Sequence, residues 1–274
     1  MIVRHLPMLR PAQQRGLAWW VWGTILARSA CRSAVVPALS PFVNPQTIRQ
    51  RLREWLFDGV DKAAPCRQQV DVTACFAGLL RWILTWWRPP QIALALDATL
   101  DRTRHAALVL RVLYRGTAIP IAWHIMPATT PGAWRPHILE LFTHVTGVIP
   151  PTMTVLVLVD RGLWSPQIWD AIRAQGWHPL MRVSLGTVFA SPGARRAVRE
   201  RLPGPGHVWV GCGRRGKQKA RRQASTLIVI WAEGQTEPWA VLTDLPPQEV
   251  GVAWYALRMW SEAGFRVLKS MGWQ

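Results

Sequence analysis

Four side chains near the end of this 274-residue chain could do chemistry together: Tyr255, Arg258, Glu262 and Lys269, spaced Y-x2-R-x3-E-x6-K. At ~100° per residue on an α-helix they fall within roughly 60° of one another. Leu257, Phe265 and Leu268 fit buried positions beside that face, and no proline interrupts Val252 to Gln274. One helix would then present a carboxylate, two cations and a phenol in a line, a surface suited to a metal-bound phosphodiester. Solvated helices carry i, i+4 charge pairs too. With only two tyrosines in the chain, however, coincidence at all four positions is remote.

Upstream, two aspartates follow apolar runs of strand type. Asp97 follows the alternating run Gln91 to Leu96, and Asp160 follows the uninterrupted apolar run Thr154 to Val159. In open α/β sheets ligands collect beyond strand ends, and neighbouring strands lie ~4.8 Å apart, close enough for two carboxylates to share cations. Oxygen donors of this kind select Mg²⁺ or Mn²⁺. Three acids compete. Asp101 falls in the polar connection Asp101 to His105, and Asp244 reads as the close of a strand. Glu140 sits on a helix with Leu139, Leu141 and Phe142 and no cationic partner. His137 and His144 are seven apart with no third ligand nearby, and His105, His124, His178 and His207 carry no motif.

The four-residue spacing, with "ALDAT" around Asp97 and "LVDRG" around Asp160, resembles the Tyr–Arg–Glu–Lys group of bacterial insertion-sequence DDE transposases. That resemblance implies a ribonuclease H-like catalytic core and two Mg²⁺ or Mn²⁺ ions on the catalytic, metal-binding acids Asp97, Asp160 and Glu262. It implies cleavage at transposon ends and strand transfer into double-stranded target DNA, with Tyr255, Arg258 and Lys269 holding phosphates. It also implies a homodimer in a full-length form. Met259 follows Arg258 where many relatives have Trp, so Trp260, one place later, reads as helix packing. The chain ends five residues after Lys269, where relatives continue, so a C-terminal truncation is expected. A DNA-binding relic without chemistry, and a nuclease without strand transfer, share the same fold.

The elements that must position these residues can be read in order. Residues 1–90 are expected to form an N-terminal helical domain. It has a Trp-rich helix from Arg15 to Arg28, a second opened by Asn44 and Pro45 and closed by Gly59, and a third from Asp71 to Trp87. A short helix, a turn and an arginine-bearing helix could read DNA. From Gln91 the period becomes that of strands: three antiparallel strands, the second and third joined at Arg115-Gly116, then a helix from Pro136 to Gly147. After the strand ending at Val159, Ser165 is expected to cap a helix from Pro166 to Gln175, and His178 to Val183 to form a fifth strand. The catalytic core would thus span 91–183 and 251–274, in the mixed α/β order β-β-β-α-β-α-β. Residues 184–250 would be a basic β-rich insertion, with strands at Thr226 to Ala232 and Trp239 to Leu242.

Charge points to the partner. Lys and Arg number 33 against 15 Asp and Glu, a net +18, with a pI near 11.5. Such an excess predicts a polyanion, nucleic acid before anionic membrane. Residues 184 to 223 hold ten basic residues and one acidic, and Arg214, Arg215, Lys217, Lys219, Arg221 and Arg222 crowd into nine positions. That stripe is expected to lie along DNA phosphates. Cys31, Cys66, Cys75 and Cys212 show neither C-x-x-C nor metal-ligand spacing and read as reduced thiols. The apolar runs Leu17 to Ala27 and Ala106 to Met126 are too short or cut by arginine, so a soluble, intracellular protein is expected; the transposase resemblance implies a bacterial, cytoplasmic, nucleoid-associated one.

Overall fold

The apolar runs pair into a mixed ten-stranded sheet in the computed structural model. It describes residues 1–62, 68–101, 104–128, 134–215 and 223–270, and gives the backbone alone for 101, 223 and 265–270. The chain divides into two compact units, Met1–Trp87 with Ala263–Gln274, and Arg88–Glu262.

The first unit is helical. It contains α1 (Ile2–His5), α2 (Pro11–Ala27), α3 (Arg32–Leu39), α4 (Pro45–Trp55) and α5 (Thr73–Thr85). Asn44 caps α4 as expected: its Oδ1 accepts the Gln46 and Thr47 amides at 3.0 and 3.2 Å, and Pro45 opens the helix. Gly59 does not close α4. The helix ends at Trp55, and Gly59 begins a 3₁₀ turn through Asp61. Helix α3 was not among the expected elements, and it carries Pro37 inside it. Burial of Val35, Val36 and Leu39 against Ile48 and Leu52 holds it, with Trp19 and Trp20 packed alongside. Gly23 lets α2 approach α3 closely; a Cβ there would lie 2.5 Å from Val35 Cγ1.

In the second unit β1 (Gln91–Asp101), β2 (His105–Tyr114) and β3 (Thr117–Pro127) form the expected antiparallel meander. Its second turn is tight because Arg115 and Gly116 both take positive φ, 44° and 85°, as a two-residue hairpin requires. Then come α6 (Trp134–Val145), β4 (Thr154–Val159), α7 (Pro166–Ala174) and β5 (His178–Arg182). Strands β1, β4 and β5 are parallel, and β4 is buried from Val155 onward, as continuous apolar strands are when covered on both faces. Ser165 stands at the N-cap of α7 without capping it, since its hydroxyl donates to Gln167 Oε1 at 2.8 Å.

Residues 184–250 contribute β6 (Val188–Ser191), β7 (Ala194–Ala197), β8 (His207–Arg215), β9 (Gln223–Trp231) and β10 (Trp239–Thr243). The strand order is β3-β2-β1-β4-β5-β10-β9-β8-β6-β7, so β10 joins β5 and the segment extends the same sheet. Strands β6 to β8 were not expected, because glycine and proline obscure their period. A 3₁₀ helix over Val252–Arg258 then runs into α8 (Met259–Ser270), where one α-helix was expected. No helix among the described residues is long and apolar enough to cross a membrane.

Candidate active site

Register brings the two aspartates together. Leu96 and Val159 form the last pair of the β1–β4 ladder, and the next residue on each strand is Asp97 and Asp160. Parallel strands in step put both carboxylates at one level, about 4.8 Å apart in backbone. Asp97 is not a strand end, as expected, but lies inside β1. The strand continues to Asp101 because β2 keeps pairing along its other edge, Asp97 with Val109 and onward to Asp101 with His105.

The 3₁₀ segment supplies the rest. At three residues per turn Tyr255 and Arg258 eclipse one another, so both sit against the ends of β1 and β4. The Tyr255 hydroxyl donates to the Val159 carbonyl at 3.4 Å, and its ring meets Trp239 edge-on at 5.7 Å. Burial pushes the phenol pKa well up, so Tyr255 is an anchor rather than an acid or base. Leu257 and Trp260 pack beside it on the core of Leu156, Leu158 and Val241, matching the packing role read for Trp260.

Arg258 gathers the acids. One of its terminal nitrogens lies 3.3 Å from Asp97 Oδ1 and 3.6 Å from Asp160 Oδ2, and the other lies 3.6 Å from Glu262 Oε1. Glu262 reaches it as an i, i+4 partner where the chain switches to α8. Burial raises the Asp97 pKa above the usual carboxylate range and Asp160 adds to this; Arg258, the Ala98 amide and Arg111 oppose it. Burial works against the Arg258 cation as well, but Asp97, Tyr255, Asp160 and Glu262 outweigh it and its pKa rises.

Arg111 belongs to this site although sequence reasoning used it only to interrupt an apolar run. It is 1% exposed, on β2 beside an irregularity in the β2–β3 register, and donates to the Ser261 carbonyl at 2.9 Å. That bond fixes the backbone that carries Glu262. Burial lowers its pKa to about 10, against the pull of Asp97. A lone arginine in "AALVLRVLY" is the signal that could have found it, since a charge in a doubly covered strand must have a partner.

Whether these residues suit a cation can be judged from their donors. All three acids offer hard oxygen, and Asp160 Oδ1 is buried with no hydrogen-bond partner among the described residues. The guanidinium now stands where the carboxylates converge. Their oxygens are not all within 4.8 Å of one another, a closeness met among the described residues by His124, His137 and Glu140. By chemistry the donor set suits hard divalent cations; its oxygens stand wider apart than the ligands of one ion.

The competing acids are engaged elsewhere. Asp244 follows β10 and pairs with Arg173 and His178, both at 3.2 Å. Glu140 has two histidine neighbours, His137 and His144, at 3.8 and 3.9 Å. The Asp101 side chain lies outside the described residues. Of the expected DNA-contacting cations, Arg214 is exposed on β8. Arg215 is turned inward instead, its guanidinium 3.3 Å from the Trp164 ring centroid, and burial lowers its pKa to about 10. Lys217, Lys219, Arg221, Arg222 and the side chain of Lys269 lie outside the described residues.

A family model described as "Transposase DDE domain" matches residues 129–274, a stretch that contains Asp160 and Glu262 and begins after Asp97. Among solved structures, the chain is similar to one described as "Cryo-EM structure of piggyBac transposase synaptic complex with hairpin DNA". The TM-score is 0.47 at 9% identity, covering 96% of this chain and 61% of that one. The chain therefore spans under two thirds of the length of that relative. No curated protein sequence matches.

Proposed function

The chain belongs to the Transposase DDE domain family, and from that premise we propose that it cuts DNA at transposon ends and joins those ends to target DNA. The observation that carries the reading is the convergence of Asp97, Asp160 and Glu262 on one cationic side chain. The sheet order β3-β2-β1-β4-β5, with three antiparallel strands leading into two parallel ones, supports a ribonuclease H-like core.

In this reading the three acids would hold two Mg²⁺ or Mn²⁺ ions. When bound, such ions lower the pKa of an attacking water or 3′-hydroxyl and offset charge on the leaving oxygen. Arg258 would leave the carboxylates and take a non-bridging phosphate oxygen beside the scissile bond, a charge-assisted contact that its planar fork suits. Tyr255 would keep the 3₁₀ turn seated on β4 through its bond to Val159. Arg111 would hold Glu262 in place from behind. Lys269 and the basic segment of Arg214 to Arg222 would follow the DNA backbone, with Arg215 supporting the loop that bears Trp164. Positioning and charge neutralisation would carry most of the rate. Two copies would assemble on paired DNA ends, in a cytoplasmic, nucleoid-associated setting.

The test is a gel assay with end-labelled duplex carrying the repeats that flank the coding sequence, in Mn²⁺. Nicking and joining should each fall at least about a hundredfold in Asp97→Asn, Asp160→Asn and Glu262→Gln. Nicking without joining would make the protein a nuclease, and binding without nicking a non-catalytic DNA-binding relic. Full activity in all three variants would remove the acids from the chemistry.

A further inference from the structure

A second group of ligating side chains converges away from the acids. His124 comes from β3, and His137 and Glu140 from α6, the helix packed against that strand. Each offers one donor atom, and the three donors all lie within 4.8 Å of one another. The two imidazoles stack with centroids 3.8 Å apart and planes inclined by 16°.

Glu140 sits one turn along from His137. Its carboxylate oxygens lie 3.8 Å from His137 Nδ1 and 3.9 Å from His144 Nε2. Both distances are too long for hydrogen bonds, so neither contact uses up the carboxylate. An imidazole ligates a metal through one ring-nitrogen lone pair.

The geometry points to a site for one first-row transition-metal dication of the Zn²⁺ class, ligated by His124, His137 and Glu140. Imidazole donors select such a metal over Mg²⁺ or Ca²⁺, which prefer oxygen alone. Metal–ligand bonds of ~2.0–2.2 Å require the donors to close in and the rings to tilt out of parallel. Three protein ligands leave a fourth position for water. As the donors close in, the 3.9 Å between His144 and the carboxylate oxygen that the metal does not take would have to shorten to a hydrogen bond, letting His144 act on the ion through Glu140. The ion would tie the edge strand β3 to α6. This site is independent of the chemistry proposed for Asp97, Asp160 and Glu262.

The experiment is titration of the chelator-treated full chain with Zn²⁺ by calorimetry and with Co²⁺ by visible absorption, both in excess Mg²⁺ to fill any all-oxygen site. One equivalent should bind, Co²⁺ should show ligand-field bands, and Asp97→Asn should change neither. His124→Asn and His137→Asn should each weaken binding by about a hundredfold, and His144→Ala by about tenfold. Should either histidine variant fail to fold, the wild-type chain decides: Zn²⁺ should shield His124 and His137, but not exposed His105, from diethylpyrocarbonate. No saturable Zn²⁺ binding above Mg²⁺, binding that survives both histidine variants, or binding lost in Asp97→Asn would each overturn the site.

Discussion

Replacing Arg258 by Gln removes the one cation on which three carboxylates converge, and the cost can be estimated. The Arg258–Asp97 pair is enclosed, with side chains 14% and 10% exposed; breaking a buried pair by removing one partner costs about 3–5 kcal/mol. Asp160 and Glu262, 35% and 51% exposed, are screened by water, so their pairs add up to about 1 kcal/mol each at most. Asp97 recovers part of the loss by taking up a proton, since its pKa is already raised by burial and Arg258 is the strongest group opposing that. A net loss of about 3 kcal/mol at neutral pH is expected. A carboxyl whose folded pKa exceeds the unfolded one contributes most below the unfolded value, and that contribution fades as pH rises through the folded value. In Arg258→Gln the folded value climbs further, so the penalty is largest at neutral pH and shrinks in acid. Urea unfolding at both pH values measures it. Mg²⁺ or Mn²⁺ should also stabilise the variant more than the wild type, because no guanidinium has to leave first, while DNA nicking falls. A loss under about 1 kcal/mol that is the same at both pH values, with equal metal responses, would refute the argument that Arg258 neutralises these acids.

Three further outcomes are expected. Arg111→Met should lower stability by about 1–2 kcal/mol in urea unfolding, since the Ser261 carbonyl loses its donor. Asn44→Ala should cost about 1 kcal/mol by the same assay, because the Gln46 and Thr47 amides lose their acceptor. Gly23→Ala should destabilise by about 1–2 kcal/mol despite alanine's better helix propensity, since its Cβ would press on Val35 and Leu39; thermal unfolding reads the shift.

Much of this protein is written locally. The hairpin at Arg115-Gly116, the cap at Asn44 and the buried strand Thr154–Val159 depend on residues next to one another, so their types and spacing suffice. The order of strands and helices from Gln91 to Arg182 follows from the same periodicities. Local cues failed where burial or pairing overrode them. Pro37 did not prevent a helix, because its neighbours bury against α4. Glycine and proline hid β6 to β8, and β10 joined β5 through backbone pairing that no local pattern announces.

What tertiary structure alone decided is which groups meet. The β1–β4 register, set by apolar side chains filling one core, carries Asp97 and Asp160 to the same level. The 3₁₀ turn, seated by Tyr255 on Val159, swings Arg258 onto both and draws Glu262 to the same guanidinium. Arg111, His124 and Arg215 gained their partners the same way, from strands and helices distant in the chain. Spacing along a chain fixes which face of its own helix or strand a side chain occupies. Which other face it meets is settled only when the sheet closes over its core, because that pairing depends on the burial of many residues at once.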